Sequence, residues 1–308
     1  MLSIEKVTKR YDGHTAVDDL SLVIEPGGVF GLLGPNGAGK TTIIRMVMNI
    51  IEPDEGRISI FGEPLSEKMK EKVGYLPEER GMYRKMKVLE HLVFLGEIKG
   101  ISSSVAHERS RKWLEKVGLS EWRDKTVESL SKGMQQKIQF ISTVLHEPQL
   151  VILDEPFSGL DPINTEMLKD IITDMKDAGK TVVLSTHMMD QVEKLCGRIC
   201  LINKGKKILE GGLSDIKMKM SKNVVSIRFS GDRRHLETWP EVEKVVDFGQ
   251  DLSITLKGGA DPNGILRHAL DNGRVERFEI GEMSLHDIFI AKVKEKGGEI
   301  DEEDVQGR

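Results

Sequence analysis

Cysteine is nearly absent from this sequence: Cys196 and Cys200 are the only two in 308 residues. Two thiols in mostly apolar surroundings make no disulfide framework and no metal site by themselves. A buried structural role in a reducing compartment is expected. Long apolar runs are absent too. No stretch approaches the ~20 residues that span a bilayer as a helix. The start, Met1-Leu2-Ser3-Ile4-Glu5-Lys6, enters an alternating pattern without the apolar core of a signal peptide. Basic excess is also missing. Lys and Arg number 45 against 50 Asp and Glu, a formal net charge of -5, which disfavours a nucleic-acid partner. Internal repeats are not found. What is present is an ordinary globular balance, 38% hydrophobic and 31% charged, enough for one large domain or one large and one small.

Short Val/Ile/Leu runs alternate with helical patterns. Val29-Phe30-Gly31-Leu32-Leu33, Leu150-Val151-Ile152-Leu153 and Thr181-Val182-Val183-Leu184 are near-continuous apolar strands. Such strands belong to a parallel sheet covered by helices on both faces. From Ile4 to Ile24 the pattern alternates and breaks at Asp12-Gly13, which reads as an antiparallel hairpin. Between about 86 and 148 the strand pattern gives way to helical spacing: Leu89, Leu92 and Val93; Trp113, Leu114 and Val117; Met134, Ile138, Ile141 and Leu145. Asp161-Pro162 opens a further helix that ends at Gly179. After Gly211-Gly212 come alternating strands at 225–229 and 252–256, a helix around 265–270, a strand near 278–280, and a last helix from Ser284 with Asp287 three residues on. The expected organisation is a domain over 1–212 with a helical subdomain at 86–148, a small α+β domain over 213–293, and a flexible tail over 294–308.

Gly34-Pro35-Asn36-Gly37-Ala38-Gly39-Lys40-Thr41, followed by Thr42, is a complete phosphate-binding loop between a strand and a helix. Its glycines let successive N–H groups point at phosphate oxygens, and the helix N-terminus adds its positive end. Lys40 is expected on the β- and γ-phosphates, and the Thr41 hydroxyl on Mg²⁺. The run Leu150-Val151-Ile152-Leu153 ends in Asp154-Glu155. Asp154, at a strand end, suits a Mg²⁺ ligand, and Glu155, one residue later, a general base for an attacking water.

Further elements, in order, resemble the ABC ATPases. Leu130-Ser131-Lys132-Gly133-Met134-Gln135-Gln136 is similar to the family's signature, usually LSGGQ. Ser158-Gly159-Leu160-Asp161 resembles the loop after the catalytic acid. His187 follows its strand as the switch histidine does, and Tyr11 stands where an aromatic stacks on adenine. Taken singly, Tyr11 reads as hairpin packing, His187 as a satisfied loop histidine and Ser131 as an N-cap. The resemblance covers about residues 1–212. It departs at Glu78, which follows Tyr75-Leu76-Pro77 where the family usually has glutamine, and at Lys132-Gly133-Met134 in place of Gly-Gly-Gln.

The resemblance implies an α/β fold: a P-loop ABC ATPase core with an N-terminal antiparallel β subdomain and a helical insertion, plus the C-terminal α+β domain. It implies ATP and Mg²⁺, with Glu155 and His187 catalytic, Tyr11 and residues 34–42 on ATP, and Thr41, Asp154 and Glu78 on the metal. Ser131, Gly133, Met134 and Asp161 would reach the ATP of a second ABC ATPase subunit, identical or different, docked head-to-tail. The other implied partner is an integral membrane permease, met through Met82, Tyr83, Met86 and Val88. The implied place is the cytoplasmic face of the cell membrane. The Glu78 departure and the C-terminal extension resemble a branch associated with sodium, peptide or antibiotic efflux. The competing reading, a soluble ABC ATPase of ribosomes or nucleic acid, usually comes with two cassettes or a long coiled-coil insertion.

Overall fold

The computed structural model describes residues 1–295 except 67, 68, 70, 79, 80, 221, 222 and 282, so the tail expected over 294–308 lies outside the described residues from 296 on. The chain divides into two units. One holds residues 1–187 and 194–209, the other residues 188–193 and those from 210 onward.

In the first unit, β1 (Leu2–Tyr11) and β2 (His14–Ile24) form the hairpin. Their antiparallel register runs from Leu2 opposite Ile24 to Tyr11 opposite His14, and Gly13 supplies the positive φ of 84° at the turn. With β4 (Glu55–Ile60) and β5 (Glu63–Pro64) they make a sheet of order β2-β1-β4-β5. The second sheet contains β3 (Gly28–Leu33), β6 (Val73–Leu76), β7 (Leu150–Asp154), β8 (Thr181–Thr186), β9 (Arg198–Asn203) and β10 (Lys206–Gly212). Its order is β10-β9-β3-β8-β7-β6. The three apolar runs of the sequence thus become neighbours: Val183 is paired in parallel with Phe30 on one side and Ile152 on the other. Every residue of β7 and β8 is buried, as a strand covered on both faces requires. Helix α1 (Lys40–Val47) puts Ile43, Ile44, Met46 and Val47 into a core shared with Leu20, Leu22 and Ile152.

The helical insertion consists of α2 (Val88–Ile98), α3 (Ser103–Lys116) and α4 (Lys132–Val144), with short 3-10 turns at Ser120–Trp122 and Val127–Ser129. Gly96 sits where α2 packs tightly on its neighbours: a Cβ there would stand 3.0 Å from Ile101 and Leu145 and 3.1 Å from Ala106. Helix α4 rests on the sheet, its Thr143 hydroxyl donating to the Tyr75 carbonyl at 3.3 Å. Helix α5 (Pro162–Asp177) starts at the Asp161 N-cap with proline at its first position, and α6 (Met189–Leu195) follows β8. Cys196 and Cys200 are buried and unlinked, and burial pushes the Cys196 thiol up to about 12.

The second unit contains α7 (Leu213–Met220), β11 (Val224–Gly231), α8 (Arg234–Glu237), β12 (Val242–Asp247), β13 (Leu252–Leu256), α9 (Pro262–Asn272), β14 (Gly273–Ile280) and α10 (Leu285–Glu295). From β11 to β14 the order is β-α-β-β-α-β, and the sheet runs β12-β13-β11-β14, the split βαβ arrangement. Val225, Ile227 and Phe229 of β11 meet Leu252, Ile254 and Leu256 of β13 and Ile265 and Ala269 of α9 in its core. On the opposite face Arg228 grips buried Asp251 with two hydrogen bonds, at 2.8 and 3.0 Å. The start of α10 is capped as its sequence suggests: Ser284 Oγ donates to Asp287 Oδ2 at 2.7 Å and accepts the Asp287 N–H at 3.1 Å.

Separate cores imply separate responses to damage. Ile254 is fully buried in the second unit's core, so Ile254→Ala is expected to cost about 2–5 kcal/mol there. Scanning calorimetry is expected to show one transition moved to lower temperature and the other unmoved. A uniform shift of the whole profile would refute independent cores.

Candidate functional site

The phosphate-loop residues leave the end of β3 and enter α1. Two glycines fix the loop's path. A Cβ on Gly34 would sit 2.2 Å from the Ile202 carbonyl oxygen, and one on Gly39 2.4 Å from that of Ala16. Gly39 also has φ of +103°, a left-handed value that a side chain strains. Within the loop the Ala38 N–H donates to the Pro35 carbonyl at 3.2 Å, and the Ala38 carbonyl accepts the Gly205 N–H at 3.0 Å. Lys40 is only 6% exposed. Its ammonium donates to the Gly34 and Pro35 carbonyls at 2.6 and 3.1 Å and lies 3.7 Å from Glu155. Burial pulls the Lys40 pKa down, opposed by the charges of Glu155 and Asp154.

Asp154 ends β7 and is 1% exposed. Ser185 Oγ donates to its Oδ1 at 2.8 Å, while its Oδ2 is buried without a hydrogen-bond partner. Burial raises its pKa. The hydroxyls of Ser185 and Thr41 oppose the rise, and the charges of Glu155 and Glu78 add to it. An orphaned, desolvated carboxylate oxygen beside a threonine hydroxyl fits a hard cation. Mg²⁺ takes one or two carboxylates and completes its shell with water and substrate phosphates.

Glu155 is turned off the strand by a left-handed backbone, φ 47°, and its N–H is held by the Ser185 carbonyl at 2.9 Å. A side chain in this region is strained, and such strain persists where the surroundings over-determine it. Here they do. Thr186 Oγ1 donates to Glu155 Oε2 at 2.9 Å, the His187 N–H donates to Oε1 at 3.1 Å, and His187 Nδ1 lies 2.9 Å from the same oxygen. The structure thereby brings Lys40, Asp154, Glu155 and His187 into one cluster. Glu78, just past β6, joins Gln136, Gln139, Asp154, Glu155 and Ser158 around a cavity of about 40 Å³.

The remaining candidates stand elsewhere. Ser131 caps α4, its Oγ accepting the Met134 N–H at 3.3 Å. Asp161 caps α5, accepting the Asn164 N–H at 2.9 Å. A Cβ on Gly133 would meet nothing nearer than the Asn164 side chain at 3.8 Å, so the N-termini of α4 and α5 are neighbours with open space at the glycine. Among the described residues none of Ser131, Gly133, Met134 and Asp161 bonds to the Lys40–Glu155 cluster. Tyr11 lies at the hairpin end, 45% exposed, with Lys9 Nζ 5.6 Å from its ring centroid. Val88 is corrected: it is fully buried at the start of α2 and cannot belong to an exposed apolar group with Tyr83. Sequence reading missed Ser185 and Thr186, the two hydroxyls that hold the acids. Their only signal was position, between an apolar strand and His187.

Two family models match. One, described as ABC transporter, matches residues 17–158; the other, an ATP-binding protein DrrA1-3-like C-terminal domain, matches residues 211–293. The chain is 43% identical over 293 residues to the uncharacterized ABC transporter ATP-binding protein YhaQ of Bacillus subtilis (strain 168), spanning 95% of this chain and 98% of that one. It is 30% identical over 303 residues to the daunorubicin/doxorubicin resistance ATP-binding protein DrrA of Streptomyces peucetius, spanning 92% and 90%. A solved structure of an ATP-binding subunit of an ABC transporter matches with TM-score 0.67 and 30% identity, over 71% of this chain and 93% of that one. With a phosphate loop, a buried acid pair and a signature helix in one unit, the chain belongs to the ABC transporter ATP-binding proteins and is the ATPase subunit that powers transport.

Proposed function

We propose that this subunit hydrolyses Mg²⁺–ATP in a head-to-tail pair of cassettes and drives export through a separate membrane-spanning permease, on whose cytoplasmic side it sits. The observation that carries the proposal is the cluster of buried Lys40, Asp154 and Glu155 with half-exposed His187 against it, whose charges are incompletely matched without a ligand. ATP phosphates would draw Lys40 from the Gly34 and Pro35 carbonyls, and backbone N–H groups of residues 36–42 would line the phosphates. Bound Mg²⁺, held by Thr41 and Asp154 with Glu78 beside them, would neutralise phosphate charge and orient the γ-phosphate. Glu155, already aligned by Thr186 and His187, accepts the proton of the attacking water. His187 keeps the carboxylate pointed at that water and contacts the γ-phosphate. Tyr11 stacks on adenine.

Ser131, Gly133 and Met134, at the N-terminus of α4, would face the ATP of the second subunit, with Asp161 at the seam. The open space at Gly133 supports that reading. Export is supported by the resistance relative, which matches this chain over nearly its whole length. Among the described residues no helix is long and apolar enough to cross a membrane, so the membrane path is assigned to the permease. The permease surface is supported by exposed Tyr83, packed edge-on against Phe94 at 5.4 Å between ring centroids. Beside α2 a groove of about 690 Å³ is lined by Arg45, Ile50, Leu95, Ile98 and Gln139.

Glu155→Gln keeps the shape and removes the base. The turnover rate is expected to fall ~10²–10⁴-fold, with ATP binding retained and an ATP-dependent dimer persisting in size-exclusion chromatography. A dead variant that never dimerises, even with its permease, would count against the paired-cassette mechanism. For Glu78, loss of a carboxylate near Mg²⁺ is expected to raise the Mg²⁺ concentration for half-maximal activity in Glu78→Gln. Superimposable Mg²⁺ titrations of wild type and variant would remove Glu78 from the metal site. Tyr83→Asp is expected to weaken permease binding in co-purification while the isolated ATPase rate stays unchanged. Loss of ATPase activity along with the fold would assign Tyr83 to packing instead.

A further inference from the structure

The sheet of the second unit ends at β14, whose sheet neighbour is β11. Edge strands are ordinarily guarded against stray pairing by charges and bulges, and β14 has both. Arg274, Glu276, Arg277 and Glu279 are exposed along it. Its register against β11 slips by one residue, from Arg277 opposite Arg228 to Val275 opposite Phe229, leaving Glu276 as the extra residue. The bulge changes which residues share a face. Val275 and Phe278, three apart, both pack on the core side of the sheet. Arg274, Arg277 and Glu279 pair with Ser230, Arg228 and Ser226 and so stand on the other side.

We propose that β14 pairs antiparallel with β14 of a second copy of this chain, about a twofold axis perpendicular to the sheet, joining two four-stranded sheets into one. The sequence Arg274-Val275-Glu276-Arg277-Phe278-Glu279 is complementary to itself when reversed. Arg274 falls opposite the partner's Glu279, Val275 opposite the partner's Phe278, and Glu276 opposite the partner's Arg277; the twofold axis repeats each pair. In an unbroken strand this register would set core-side residues against outer-side ones, because faces alternate with every residue. The one-residue bulge removes the mismatch, so faces and charges agree in the same register. A slide of two residues one way sets Arg274 against the partner's Arg277. A slide of two the other way sets Glu276 against the partner's Glu279. Like charges directly opposite are unfavourable. The devices that repel other strands therefore admit this one.

The charges at this edge are exposed and exchangeable. Arg277 now pairs with Glu279 of its own strand at 2.7 Å, and Glu276 accepts from Ser230 Oγ at 3.2 Å. Solvated ion pairs select the register more than they bind. The ladder hydrogen bonds and the two Val275–Phe278 contacts supply the attraction, as in other strand additions. A weak contact of this kind becomes effective once two subunits are held on one transporter, where the second encounter is intramolecular.

The test is a charge exchange on the full chain, without nucleotide and with EDTA, so that ATP-driven pairing of the cassettes does not contribute. Sedimentation equilibrium at low salt is expected to show a monomer–dimer equilibrium for wild type. Arg274→Glu, which sets Glu against Glu279 twice, is expected to weaken it roughly tenfold. The double variant Arg274→Glu/Glu279→Arg restores the pairing with reversed polarity and is expected to recover dimerisation. Near 1 M salt, where screening reaches within about 3 Å, the difference between single variant and wild type is expected to shrink. ATPase activity per subunit stays at the wild-type value in both variants, which separates this contact from the catalytic reading. A monomeric wild type, an indifferent single variant or an unrestored double variant would each overturn the proposal.

Discussion

Three ionisable groups, Lys40, Asp154 and Glu155, are buried together at the C-terminal ends of parallel strands, and the site depends on that burial. Charge taken out of water is costly unless it is paired and hydrogen-bonded. The fold meets part of the cost from within: loop carbonyls hold the ammonium, Ser185 holds one acid, and Thr186 and His187 hold the other. It leaves Asp154 Oδ2 unmet. The deficit is local, one carboxylate oxygen, and a bound cation or donor is what would relieve it. Burial also keeps electrostatic attraction strong there, since the surrounding dielectric is low.

The sheet order makes this arrangement possible. Because β8 lies between β3 and β7, the loop after β3, the acids after β7 and the hydroxyls ending β8 emerge side by side. The strained turn at Glu155 aims its carboxylate toward Lys40 and the start of the loop after β8. Four hydrogen-bonding groups hold that turn, so the carboxylate proposed as the base is oriented in the resting protein without rearrangement. The helical insertion brings Gln136 and Gln139 to the same small cavity, and Gln139 also lines the larger groove beside α2. One buried side chain thus lines both the small cavity beside the acids and the groove beside α2.

The second unit has a core of its own and, among its described residues, a different balance of forces. Its sheet relies on a single apolar layer against two helices, with buried Asp251 paired to half-buried Arg228 on the opposite face. Removing Arg228 would leave the Asp251 carboxylate buried without its partner, which is costly. The bulge at Glu276 has two effects at once: it bends an edge strand, and it resets the side-chain alternation along it.

Local sequence patterns determined a good deal by themselves. The phosphate loop, the acid pair after an apolar strand, the caps at Ser131, Asp161 and Ser284, and the Asp12-Gly13 hairpin were legible because each rests on neighbours within a few residues. The parallel sheet was legible from near-continuous apolar runs. β10, β12, α7 and α8 are mixed in polarity, and their type is decided by the sheet edges and cores they join; β9, with its apolar run over 199–202, carried a signal that the sequence reading passed over. Val88 departs from its expected place in a surface apolar group for a related reason, since exposure depends on what the rest of the chain places over a side chain. Only the tertiary structure could show that Ser185 and Thr186 hold acids 31 positions away in sequence, that Asp154 keeps an unmet oxygen, or that a bulge aligns Val275 with Phe278. Spacing along a chain encodes periodicity; contact between distant strands is set by their order and register in the sheet, and one-dimensional patterns do not specify that order.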